Sequence, residues 1–266
     1  MSLDALRTFV ESGRYCELDR NKKQLAILRD IIKGHQSKIG VKRMEWAEQG
    51  VVGIFEGYRI YDYDMAGLKT ILADLGLLPL ICQVEWSVLS EVEQELMKSW
   101  VVSQPISIRI TVKKDQKRDK EALNNIFEER ISKLELTQLV NEWKIKKMEN
   151  DLLTDQWKRL RQNLQAQLPA PSSYRFDFGT VSCYTTDPLI SCVNLYNQLG
   201  EEVVMKYGQV DLSLLPVYMA KGFFSKNDIK RYRKVTDMRL KYTLMQIHTE
   251  QRRREFYLEY LRRLSM

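Results

Sequence analysis

Histidine is almost missing from this chain. There are two, His35 and His248, and four cysteines with no Cys-x-x-Cys spacing. A structural zinc takes four nitrogen or sulfur ligands, usually in close pairs, so no metal site is expected. Cys16, Cys82, Cys183 and Cys192 read as free thiols in a reducing compartment. Both histidines fall in helical contexts and read as solvated helix residues. The glycine-rich phosphate loop G-x-x-x-x-G-K-S/T, the dinucleotide loop G-x-G-x-x-G and the nucleophile elbow G-x-S-x-G are all absent. No apolar run reaches the roughly 18 residues of a membrane-spanning helix. Met1-Ser2-Leu3-Asp4 lacks the basic-then-apolar opening of a signal peptide. These absences predict a cytoplasmic protein with no catalytic residue, no cofactor and no bound membrane.

Glycine and proline are also missing from two long stretches, 115–168 and 226–264. The first is dense in Glu, Lys, Arg, Gln and Leu and ends against Pro169 and Pro171. It predicts one long helix, or two nearly collinear ones, capped by Asp115. Unbroken, it would be about 80 Å long at 1.5 Å per residue. Leu136, Val140 and Trp143 form one apolar stripe on it. Leu153, Trp157, Leu160, Leu164 and Leu168 form another. Asn150-Asp151 between them favours an interruption, because both residues compete for backbone hydrogen bonds. A helix of this length draws its stability from packing, so something must cover the stripes.

Around this stretch the chain alternates between helical and β patterns. Residues 3–36 read as a helix, with Leu18, Leu25, Leu28 and Ile32 on one face. Val51–Phe55 and Tyr58–Tyr61 read as strands with a turn or bulge near Gly57, after an earlier strand around Val41–Trp46 that turns at Gln49-Gly50. Asp64 is placed to cap a helix over Met65–Leu78, and Ser87–Trp100 reads as a second short helix. Ile106, Ile108, Ile110 and Val112 alternate with polar residues, the period of a half-buried strand. Tyr174–Phe178 and Thr180–Tyr184 read as a hairpin. Asp187-Pro188 reads as a helix start. Ser225 reads as the cap of a final helix to Leu264.

The two β-containing segments can be superposed. At a shift of 123, Phe55, Tyr61 and Asp64 meet Phe178, Tyr184 and Asp187. At a shift of 126, Val84, Ser87 and Leu89 meet Val210, Ser213 and Leu215. The expected fold is therefore α+β, predominantly α, with two small β-hairpin-plus-helix units, a possible internal duplication, joined and flanked by long helices. Its segments are 1–114, 115–168, 169–221 and 222–266.

Charge is unevenly placed. Residues 222–266 carry twelve Lys and Arg against five Asp and Glu, an excess equal to the whole net charge of +7. The rest of the chain is neutral, which makes a polyanion partner worth testing. Lys230, Arg231, Arg233, Lys234, Arg252, Arg253, Arg254, Arg262 and Arg263 are the candidate phosphate-binding residues. Tyr232, Tyr242, Tyr257 and Tyr260 lie among them and would suit base stacking. The alternative is a helix whose cations pair with Glu128, Glu129, Glu135 or Glu142. A weaker possibility is a metal-dependent nuclease using Asp62, Asp64 and Glu56 with Lys69.

A helix, then strands, then Asp64-x-x-x-Leu68-Lys69-x-x-Leu72 resembles small phage-encoded accessory proteins of DNA metabolism. The resemblance covers a small part of the chain and carries over no functional residue. It implies a phage or mobile-element origin, and virion association as an alternative location. The basic balance speaks against an acidic DNA mimic. The expectation is a non-catalytic nucleic-acid-binding accessory protein. Its rival is a structural or assembly protein whose long helices form a homo-oligomer or dock on a protein partner.

Overall fold

A computed structural model describes residues 2–113, 120–169 and 171–264. In chain order the elements begin with α1 (Ser2–Glu11), α2 (Arg14–Ile39), β1 (Arg43–Trp46), β2 (Val51–Tyr63), α3 (Met65–Asp74), α4 (Leu78–Ile81) and β3 (Cys82–Val84). Next come α5 (Glu91–Met97), β4 (Val101–Ser103), β5 (Ile106–Val112), α6 (Lys120–Ile131) and α7 (Leu136–Gln167). The chain then forms β6 (Ser172–Phe176), β7 (Gly179–Thr185), β8 (Leu189–Ile190), α8 (Cys192–Leu199), α9 (Glu201–Tyr207) and β9 (Gly208–Val210). It ends in α10 (Leu215–Ala220), β10 (Arg233–Gln246) and α11 (Ile247–Leu264). With 57% helix and 25% strand, the fold is α+β and predominantly α.

Several local expectations change. The first helix is broken at Gly13, whose φ of 81° no helical residue adopts. Gly57 makes no turn, since β2 runs through it, while the expected turn at Gln49-Gly50 does reverse the chain between β1 and β2. Asp187-Pro188 opens no helix; Ser191 caps α8 instead, accepting from the Asn194 N–H at 3.1 Å. Asp64 does cap α3, accepting from the Gly67 N–H at 3.0 Å.

The long stretch is two helices, and they are not collinear. It breaks at Ser132–Glu135 rather than at Asn150-Asp151, and Asp115 lies outside the described residues. Glu135 and Gln138 form a capping box that starts α7. Arg130 and Glu142 are 12 residues apart yet bonded at 2.6 Å. A straight helix would hold them about 18 Å apart, so α6 folds back along α7.

The elements gather in two compact units that cut across the four sequence segments. The first comprises Met1–Glu56, Ile106–Thr185 and Lys241–Arg252. Its spine is the pair α2 and α7, running antiparallel. Leu18 packs with Leu153 at one end, and Leu28 and Ile32 pack with Leu139 and Trp143 further along. Leu139, Trp143, Leu153, Trp157 and Leu160 of α7 pack with α2, and Leu164 continues their face. The steps of four, three and four from Leu153 to Leu164 are those of a coiled coil. The α7 stripes are thus covered within the chain. Helix α1 and the sheet β5-β7-β6 close one end of this unit, with Leu6, Val10, Ile108, Val112, Leu164 and Phe178 buried together.

In the second unit, Gly57–Pro105, Thr186–Leu240 and Arg253–Met266, a core of Leu68, Leu72, Leu78, Ile81, Leu195 and Val204 lies around β3 and β9. These strands pair antiparallel with Gln83 opposite Gln209, Cys82 opposite Val210 and Val84 opposite Gly208. Gln83 and Gln209 are also equated by the shift of 126. The two strands that this shift equates are thus paired with each other. The β6–β7 hairpin belongs to the first unit and takes no part in this pairing.

Candidate nucleic-acid interface

The expected basic helix over 226–264 is not one helix. Lys230, Arg231 and Tyr232 form a 3-10 turn, Arg233–Gln246 is the strand β10, and only Ile247–Leu264 is helical. The reason is visible in Met238, Leu240, Tyr242 and Leu244, which alternate with Arg239, Lys241 and Thr243. That is a strand period, and β2 supplies the partner edge. Asp64 N–H donates to Tyr232 O at 2.9 Å, Thr236 Oγ1 to Ile60 O at 3.4 Å, and Ile247 N–H to Gly50 O at 2.9 Å. Residue numbers rise on one strand as they fall on the other, so β2 and β10 are antiparallel.

The candidate cations divide by surroundings. Lys230, Lys234, Arg252 and Arg253 are exposed, and no ion pair joins them to an acid among the described residues. Arg231 lies over the Tyr232 ring at 4.8 Å and Arg233 over the Tyr61 ring at 4.5 Å. Asp228 is held below the ordinary carboxylate range by the Ser225 backbone N–H and hydroxyl, with the nearby Arg231 charge adding to the effect. Arg254 and Arg262 are exposed on α11, and the side chain of Arg263 lies outside the described residues. Lys230, Arg231, Arg233, Lys234, Arg253, Arg254 and Arg262 belong to the second unit and Arg252 to the first. At about 100° per residue, Arg252, Arg253 and Arg254 sweep about 200° of helix surface. One phosphate backbone cannot meet all three. Lys241 is a further exposed cation, overlooked in a helical reading and found by the strand alternation.

The tyrosines are mostly engaged. Tyr242 is half-buried, packs on Phe55 at 4.8 Å between ring centres, and donates to Gln36 Oε1 at 3.1 Å. Burial pushes its hydroxyl well above the ordinary phenol range. Tyr260 donates to Pro216 O at 3.2 Å, tying α11 to α10. Tyr232 lies half-buried beside Gly67, where its ring leaves no room for a Cβ. Only Tyr257 among the four is exposed, so stacking of successive bases on all four is not available.

Three of the four acids considered as internal partners, all but Glu128, are engaged elsewhere. Glu142 holds Arg130, Glu129 holds Lys133 at 3.2 Å, and Glu135 caps α7. Two of the residues considered for a metal-dependent nuclease have structural partners. The Asp64 carboxylate is committed to its cap, and Lys69 Nζ donates to Met205 O at 2.8 Å. No cluster of three His, Cys, Asp or Glu suited to a metal occurs among the described residues. No helix among them is long and apolar enough to cross a membrane. Lys230, Arg231, Lys234, Arg252, Arg253, Arg254 and Arg262 thus present guanidinium and ammonium groups to solvent. No protein-family model, no curated protein and no solved structure matches the chain.

Proposed function

We propose that this is a non-catalytic nucleic-acid-binding accessory protein that contacts phosphates through exposed cations between Lys226 and Arg262. The observation that carries the reading is the placement of the entire net charge of +7 in residues 222–266. It is supported by the exposure of Lys230, Lys234, Arg252 and Arg253 with no acid joined to them among the described residues. Phosphate neutralisation releases counterions, so affinity must fall steeply with salt.

The test is fluorescence anisotropy with labelled single- and double-stranded DNA and RNA. Four phosphate contacts on a duplex give a log–log salt slope of about −3.6, a loss of about a hundredfold between 50 and 200 mM salt. Binding that is absent at low salt, or flat with salt, removes the proposal. Truncation at residue 221 is a poor test, because it also deletes a strand of the β1-β2-β10 sheet.

A second reading, a structural or assembly protein, is favoured by one observation. Strand β10 is the last in its sheet and exposes Met238 and Leu240.

A further inference from the structure

Residues Lys234–Leu240 of β10 are all exposed, and β10 is an edge strand with β2 as its one neighbour among the described residues. Edge strands are templates for further pairing unless charge or covering blocks them. This one carries Met238 at 67% and Leu240 at 66% exposure. Between them and around them lie Asp237 and Arg239, joined within the strand by Arg239 Nε to Asp237 Oδ2 at 2.9 Å. The same carboxylate, through Oδ1, takes the Met238 backbone N–H at 2.7 Å. The Met238 amide is thus engaged by a side chain of its own strand.

We infer that β10 pairs antiparallel with β10 of a second copy of this chain, about a twofold axis at Met238. Charge complementarity selects both the partner and the register. Centring on Met238 sets Asp237 of each copy across from Arg239 of the other, twice over, with Met238 against Met238 on the axis. Thr236 then faces Leu240, and no like charges oppose each other from Lys234 to Tyr242. Moving the axis one residue to Arg239 sets arginine against arginine. Moving it two residues back to Thr236 sets Arg233 against Arg239. Directly opposed like charges destabilise a strand pair, and opposite charges and apolar pairs stabilise it. On pairing, each Asp237 carboxylate reaches an arginine on both strands. A twofold contact of this kind is closed, so it yields a dimer and not a fibre.

This inference rests on the assembly reading and does not depend on nucleic-acid binding. The experiment is light scattering and sedimentation of the full chain without nucleic acid, for wild type, Asp237→Arg, Arg239→Asp and the double swap. Wild type is expected as a concentration-dependent dimer. Each single reversal sets like charges across the axis twice and should raise the dissociation constant at least about tenfold. The double swap restores the pairs and should restore the dimer. Unchanged thermal unfolding in the single variants, whose sites are exposed, separates lost pairing from lost folding. A monomer at all concentrations overturns both the assembly reading and the edge pairing. A dimer indifferent to all three variants leaves assembly standing and overturns this interface.

Discussion

Arg43 on β1 holds Glu250 on α11 with two hydrogen bonds, Nε to Oε1 at 3.1 Å and Nη2 to Oε2 at 2.8 Å. The Glu250 side chain is 8% exposed, and Arg43 also meets Glu45 at 2.7 Å. The pair joins residues 207 positions apart in the first unit and fixes where the chain leaves β10 and enters α11.

Removing the arginine takes two hydrogen bonds and the facing charge from a nearly desolvated carboxylate. Arg43→Ala should lower the unfolding free energy by about 3 kcal/mol. Arg43→Met combined with Glu250→Leu should recover most of that, since no buried charge is then left alone. Urea denaturation reads both. A single variant within about 0.5 kcal/mol of wild type would mean that the carboxylate is well solvated.

Asn21 makes the opposite prediction. It is fully buried on α2 between Leu18 and Leu28, and neither of its amide atoms has a hydrogen-bond partner among the described residues. The antiparallel register that sets Leu18 beside Leu153 and Ile32 beside Leu139 places Asn21 level with Asn150. Asn21→Leu is close to volume-conserving and removes the unsatisfied groups. It should raise stability by about 1–2 kcal/mol. A lowered denaturation midpoint would show that the amide is satisfied in solution.

Burial pushes the Cys82 and Cys192 thiols up from the ordinary 9.0 to about 11. The folded state therefore holds these protons more tightly than the unfolded chain. Their contribution to stability is complete below pH 9 and is lost as pH rises toward 11. The melting temperature should fall across that window, and Cys82→Ala with Cys192→Ala should flatten the fall. A decline of equal slope in the double variant would place the cause in other groups.

Individual cations should register in salt dependence. Lys234→Ala and Arg253→Ala should each reduce the duplex salt slope by about 0.9. Lys146→Ala, whose ammonium already pairs with Glu149 at 2.8 Å on α7, should leave it unchanged. Equal effects from all three would show that general charge, and not these positions, governs binding.

Reading and structure agree where a signal is local. The alternation of Ile106, Ile108, Ile110 and Val112 is a strand, β5, and its partner β7 pairs in register from Ile106 opposite Thr185 to Val112 opposite Gly179. The Asp64 cap lies three residues from the N–H it accepts. The exposure of the basic residues is legible too, because charged groups stay in water unless paired.

Asn150 shows where local signals mislead. Its preference for caps and turns suggested a break, but α7 continues through it. Lys147 and Asp151 pair one turn apart across this point, and α2 packs alongside. The actual break at Ser132–Glu135 has neither Gly nor Pro to announce it. It exists because α6 must turn back to bury Phe127 and Ile131 against Leu139 and Val140.

Composition and order alone determined the class of fold, the placement of the net charge and the individual strand and cap signals, since each depends on residues a few positions apart. Tertiary structure alone decided that Arg233–Gln246 is a strand. The stretch carries both a helical apolar pattern and a period of two, and the choice fell to β2, whose unpaired edge satisfies the backbone of β10 from more than 170 residues away. Local propensity cannot see a distant hydrogen-bonding edge. For the same physical reason it could not tell which tyrosines would be buried or which acids would already be paired.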